Sequence, residues 1–311
     1  MPTQRFLLLA LILCSQVLGV SSALAQSEPD SVNRFIELAQ KPDLAAYPRV
    51  AVFTRIVDDS RRAVPGLTPA ALTLEEDGRP IVDFSLEPAT QGLHVAFVID
   101  PGPDPKRVGE TGQATFEEAR AVVRLFANEY MRQGDTVAVW SNAAGESIAV
   151  QPTTGAVSEL SAGLDALSLQ PSPVITPAIE AALDSLTAFD ASAASQRQLI
   201  VLSPGWRGAP DPGLIQRLDA AGIIVNAVET RRGLDLGSSL AQLVSRAASP
   251  GLFVHYTGPE AVRSLYGAWN AARDGYRLTY TSPTGSAGQH QLGLRLTTET
   301  DGVAVAATLT Y

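Results

Sequence analysis

Along the middle of the chain, apolar residues fall into short unbroken runs separated by stretches with helical spacing. Val95-Ala96-Phe97-Val98-Ile99 is the clearest run, and it stops abruptly at Asp100, followed by Pro101-Gly102-Pro103-Asp104. A strand covered by helices on both faces loses the apolar/polar alternation, so this run predicts a central strand of a parallel sheet. Asp100 then stands just past the carboxyl end of that strand, where open α/β sheets place their ligands. Downstream, Thr115-Phe116-Glu117-Glu118 reads as a capping-box helix start, with Phe116, Ala119, Val122, Val123, Phe126 and Tyr130 on one helical face. Residues 136–140 and 147–150 predict strands joined as a hairpin through Asn142 to Gly145, the second one short, antiparallel and at the sheet edge. Helical spacing returns at Val157, Leu160, Leu164 and Leu167, and again at Ile179, Ala182, Leu183, Leu186 and Phe189. Residues 199–202 and 223–228 predict further buried strands with a helix over 214–221 between them. A helix over 236–247 and a strand at 252–255 close an alternation that predicts a doubly wound sheet.

On either side of this section the period is two. Residues 49–57 and 72–75 read as strands, Asp77-Gly78 is a strong two-residue hairpin signal, and 80–86 is the expected return strand. After a helix in which Val262, Leu265, Tyr266 and Trp269 share a face, strands are expected at 276–280, 292–297 and 303–311. Residues 27–41, with Val32, Phe35, Ile36 and Leu38, read as a short helix capped by Asp30 or Ser31, or as a leader. The front β unit is roughly forty residues, below the size that supports its own core. The front and back units are therefore expected to form one sandwich into which the α/β section is inserted, the alternative being that each packs separately on that section.

Composition adds a compartment. Met1 to Ala25 carries Arg5, an apolar stretch from Phe6 to Val20, and Ala23-Leu24-Ala25 before Gln26. That is the order of a secretory signal peptide, and it predicts export to the periplasm or the exterior. Cys14, the one cysteine among 311 residues, lies inside this segment, so the processed chain is expected to hold neither disulfide nor thiol site. No later segment is long and apolar enough for a membrane span. The rest is ordinary globular composition, 45% hydrophobic and 18% charged, and a formal net charge of -9 without a long basic run argues against a nucleic-acid or anionic-membrane partner.

Between about Gly92 and Gly258 the residues resemble a von Willebrand factor type A (VWA) domain. The resemblance implies a parallel sheet with one short antiparallel edge strand and, on top of it, a metal-ion-dependent adhesion site. That site uses an Asp-x-Ser-x-Ser loop after the first strand, a Thr from a second loop and an Asp from a third. Asp100 matches the first acid, Gly102 and Asp104 occupy the serine positions, Thr176 matches the threonine, and Pro204 stands where the third-loop Asp belongs. The motif is degenerate. If magnesium binds, its ligands are expected to be Asp100, Asp104 and Thr176; otherwise the loop merely inherits Asp100. Val52 to Phe84, with Pro65-Gly66-Leu67-Thr68 and Glu76-Asp77-Gly78-Arg79-Pro80, and Tyr276 to Tyr280 look like the segments that flank the type A domain in a group of secreted bacterial proteins.

Other chemistry is scarce. His94, His255 and His290 are scattered without zinc spacing, and read as strand or loop residues. There is no Gly-x-Ser-x-Gly elbow for a hydrolase and no dinucleotide-binding glycine fingerprint after the first strand. Trp206 and Arg207, in a Gly/Pro loop at the sheet top, read as partner anchors, or else Trp206 packs over a neighbouring loop. The expected layout is a signal peptide over 1–25, a leader over 26–46, a β flank over 47–91, the VWA section over 92–258, and a helix with a second β flank over 259–311. The expected function is a secreted, non-enzymatic protein-binding, adhesion or scaffolding module. The alternatives are a metal-assisted hydrolase using the cleft at Asp100, and a structural module of a larger envelope assembly.

Overall fold

A computed structural model describes residues 34–38, 42–60, 62–143, 146–167, 171–172, 174–188, 195–206, 208–236, 238–247, 250–286, 288–297 and 304–310. In chain order its elements are β1 (Phe35–Leu38), β2 (Asp43–Ala46), β3 (Arg49–Val57), β4 (Leu72–Glu76), β5 (Arg79–Ile81), β6 (Phe84–Thr90), β7 (Gly92–Ile99), α1 (Thr115–Leu125), β8 (Thr136–Ala143), β9 (Glu146–Thr154), α2 (Val157–Ala166), α3 (Thr176–Thr187), β10 (Ser195–Ser203), α4 (Pro212–Ala220), β11 (Ile224–Glu229), α5 (Ser239–Arg246), β12 (Pro250–His255), α6 (Pro259–Arg273), β13 (Asp274–Thr281), β14 (Gln289–Leu296) and β15 (Ala304–Thr310). The expected signal peptide and the residue Phe189 lie outside the described residues.

Six strands in the order β12-β11-β10-β7-β8-β9 form a sheet that is parallel except for β9, which runs antiparallel to β8 at the edge. The unbroken apolar run of β7 is explained by burial on both faces. Val95, Phe97 and Ile99 face a core under α1, α2 and α6, while Ala96 and Val98 face a second core under α3, α4 and α5. Fully burying one such side chain contributes about 1.5–3 kcal/mol, so the central strand anchors both layers. Helix α1 buries the predicted face from Phe116 to Phe126 and ends in a π-helical turn, Phe126–Tyr130. Its start differs from expectation. Ala114 is the N-cap, with no side-chain cap bond, and the buried Glu118 accepts from Thr111 of the preceding loop instead.

The period-two strands from the two ends of the chain combine. One antiparallel sheet runs β1-β3-β13-β6 with β2 added on β3, and the other runs β15-β14-β4-β5. β13 sits between β3 and β6, with Leu278 opposite both Val52 and Leu86. Val50, Val52, Ile56, Leu72, Leu74, Tyr276, Leu278, Tyr280, Leu292, Leu294 and Leu296 close a single apolar core between the sheets. Two local readings change. Residues 35–38 are a strand and neither helix nor leader, because Ile36 pairs with Ile56 and enters this core. The return strand expected over 80–86 divides: β5 closes the hairpin with β4, and β6 crosses to the other sheet. Among the described residues, no helix is long and apolar enough to cross a membrane.

Candidate functional site at the carboxyl edge of the parallel sheet

The loops that follow β7, β10 and β11 meet at one edge of the parallel sheet. The Asp100 amide extends the β7–β10 ladder by donating to the Leu202 carbonyl at 2.8 Å, which carries the side chain to a buried position. Both carboxylate oxygens are engaged there. Oδ1 accepts from the Gly102 amide at 2.9 Å, and Oδ2 accepts from the Ser203 hydroxyl at 2.6 Å. Ser203 Oγ in turn accepts from the Gly205 amide at 3.1 Å, so the acid ties two loops together. Burial pushes the Asp100 carboxyl above its usual range, and the Ser203 and Gly102 hydrogen bonds oppose that shift.

A third loop joins through Gly102, whose carbonyl accepts from the Ser172 amide at 3.0 Å. Asn142 Nδ2 donates to the Val174 carbonyl, and Thr176 follows as the first residue of α3, partly buried. Asp100 and Thr176 therefore lie on loops held next to each other. Asp104 does not turn inward: it is exposed, and its Oδ1 accepts from the Lys106 amide at 3.2 Å. A local bond two residues along the chain is entropically cheap and competes with any longer reach. Trp206 packs partly buried against the core under α3, α4 and α5, while Arg207 lies outside the described residues.

The donor set does not fit the magnesium that the resemblance implies. Magnesium takes near-octahedral oxygen ligands at short distance. Here Asp100 is already committed to two protein donors, Asp104 faces its own loop, and Gly102 and Pro204 bring no side-chain oxygen. The two departures are moreover coupled in space. Gly102 has φ +64, and a Cβ on it would lie 2.7 Å from Pro204 Cγ, so the proline ring fills the place a serine side chain would enter.

Sequence reasoning missed two carboxylates at this edge. Glu229 ends β11 fully buried, with Oε1 3.2 Å from Arg231 Nε and Oε2 3.9 Å from His255 Nδ1. Burial raises its pKa while Arg231 and His255 act in the opposite direction. The signal was present, since Ile223 to Val228, apolar except for Asn226, ends in an acid, as at Asp100. Glu118 is also buried, accepting from the Thr111 amide at 2.9 Å and its hydroxyl at 2.5 Å. Glu110 Oε2 accepts from the Gly233 amide at 3.1 Å, which joins the loops after β7 and β11.

Neither a protein-family model nor any curated protein matches the sequence. Comparison with solved structures gives matches at low sequence identity. A von Willebrand factor type A protein from Catenulispora acidiphila is 10% identical with a TM-score of 0.46, covering 92% of this chain and 75% of its own. An aerotolerance-related membrane protein from Bacteroides fragilis is 15% identical with a TM-score of 0.44, covering 58% of this chain and 99% of its own. The manganese-loaded TRAP protein of Plasmodium vivax is 10% identical with a TM-score of 0.44, covering 73% of this chain and 97% of its own. The Catenulispora acidiphila neighbour is a von Willebrand factor type A protein, the kind of domain that the residues of β7 and its loop resemble.

Proposed function

We propose that this chain is an exported, non-enzymatic binding module that holds a protein partner on the loops at the carboxyl edge of its parallel sheet. The observation that carries the reading is where apolar surface is left bare. Of the nine large apolar side chains exposed among the described residues, four lie on these loops: Val108 (53% exposed), Val174 (43%), Leu234 (55%) and Leu236 (72%). Single exposed aliphatics are unremarkable, but their gathering on loops fixed by a rigid sheet is what a binding surface needs. The buried acids at this edge support a scaffolding role over catalysis. Asp100 joins two loops, Glu118 holds the β7–α1 loop, and Glu229 holds the segment from Arg231 to Asp235. Export rests on the signal-peptide order of residues 1–25. The test is capture of partners from the source organism with the processed chain as bait. Leu234→Asp with Leu236→Asp should lose a partner that Val82→Asp, an exposed site on the β sandwich, retains. Equal retention by both baits places the binding surface elsewhere.

A further inference from the structure

The inward-facing residues of the sandwich change character at one end. β4 alternates inward through Leu72 and Leu74 and then places Glu76 inside; β13 runs Tyr276, Leu278 and Tyr280, with Ser282 next in register; β14 begins inward with His290 before Leu292, Leu294 and Leu296. Glu76, Ser282 and His290 are all buried, in positions where the alternation calls for apolar residues. Glu76 Oε1 accepts from the Ser282 hydroxyl at 2.7 Å and the Thr284 hydroxyl at 2.8 Å. Ser282 continues a strand of one sheet and Glu76 belongs to the other, so these bonds fasten the two sheets across the end of the core.

His290 completes the fastening. Its Nδ1 lies 2.7 Å from Asp77 Oδ2 and 4.0 Å from Glu76 Oε1, and its Nε2 lies 3.0 Å from the Ser286 carbonyl oxygen. A carbonyl oxygen only accepts, and an ionised carboxylate only accepts, so both ring nitrogens must donate. The ring that satisfies both contacts is the imidazolium, and 2.7 Å is the length of a charge-assisted hydrogen bond. Asp77 is well placed to remain ionised. Its Oδ1 accepts from the Gln291 amide at 2.8 Å, and this bond, followed by the His290 contact, holds its carboxyl below the usual range. We propose that His290 is a proton-operated latch, which when doubly protonated pins the Asp77-Gly78 turn and the β13–β14 loop together and when neutral releases this end of the sandwich.

Among the described residues, few charges face the ring. Glu76 comes from β4 and Asp77 from the turn, with Arg79 of β5 acting on Asp77; the β13–β14 loop presents hydroxyls and the Ser286 carbonyl, and β15, paired with His290 at Leu309, has no ionisable residue over 304–310. Loss of the proton sets a bare ring nitrogen against an acceptor and leaves the two carboxylates without the cation between them. The Asp77 hydrogen bond raises the His290 pKa above its model-peptide value of 6.5, against the opposing effect of burial. A raised folded-state value means that the stabilisation is complete below about 6.5 and is lost as pH climbs through the folded value. The same three side chains place ligand atoms within 4.8 Å of one another, a spacing a metal ion would also tolerate, so the test must separate proton from metal.

The experiment is a proton NMR titration of the full processed chain, whose three histidines are assigned by His94→Gln and His255→Gln substitution. His290 should titrate above 6.5, and Asp77→Asn should move its midpoint down. Hydrogen exchange at the amides of 282–291, corrected for the intrinsic pH dependence, should lose protection above that midpoint in the wild type. In His290→Gln it should be pH-independent across the same range. A His290 midpoint at or below 6.5, or wild-type protection that does not change across the titration, overturns the latch. So does an increase in Tm on adding zinc that His290→Gln abolishes, since the occupant would then be a metal.

Discussion

At Gly102 one absent methyl group governs what the sheet edge can hold. The left-handed backbone strains a side chain and the proline ring 2.7 Å from the would-be Cβ obstructs it, and the two restraints are separable. Gly102→Ala should destabilise the protein by about 1–3 kcal/mol from strain and overpacking together. Pro204→Ala removes the steric part alone, so the double-substitution cycle, followed by urea denaturation, should show a coupling of about 0.5 kcal/mol or more. Strict additivity would show that the proline is not the obstacle. Gly102 and Pro204 are each visible in the sequence as departures from the motif that the loop resembles, but their contact is not, because a separation of about a hundred residues carries no local signal. The fate of Asp104 is likewise a competition between a near amide and a distant site, and only the near one is written next to it in the chain.

Among the elements, the junction between α6 and β13 depends on one buried ion pair. Arg273, at the end of α6, points Nη1 at both oxygens of Asp135, 2.9 Å from each, and both residues are almost fully buried. Asp135 also accepts from the Leu93 amide at 2.9 Å and the Arg132 amide at 2.7 Å, which ties the amino end of β7 and the turn before β8 to the same guanidinium. Removing one partner strands the other charge in the interior, so Arg273→Ala should cost about 3–5 kcal/mol. The readout is the midpoint of chemical denaturation; a loss under about 1 kcal/mol would mean that the carboxylate is adequately held by the amides alone. Element identity was legible wherever the apolar period was long, as in β7, α1 and α6. It failed at short pieces. A four-residue strand such as β1 has too little sequence to reveal its period, and the Thr115 to Glu118 motif became a different contact once Thr111 stood within reach of Glu118.

For the molecule as a whole, the sandwich joins the first and last described strands around the inserted parallel sheet. β13 is hydrogen-bonded on both sides, to β3 and to β6, so it holds the five-stranded sheet together. A chain ending at Arg273 should lose protection from hydrogen exchange throughout β3, because β3 loses its ladder partner β13 and Val50, Val52 and Ile56 lose the facing Leu292, Leu294 and Leu296. The amides of β7 and β10 should stay slow, since their cores are built from other helices. Retained protection in β3 would show that the front strands stand without the back ones.

What the sequence by itself determined was the periodicity: unbroken runs for strands buried on both faces, alternation for strands with one wet face, and the acid that closes β7. These are properties of a few consecutive residues, and burial on one face or two writes them directly into composition. The tertiary structure alone decided which strands met and which polar groups became partners. Ser203 and Gly102 reach Asp100, Pro204 fills the space beside Gly102, Arg273 meets Asp135, and His290 joins Glu76 and Asp77. Most of these contacts span tens to hundreds of residues, and a side chain's hydrogen bonding is set by whichever donors and acceptors packing brings within about 3 Å. No window along the chain contains that information.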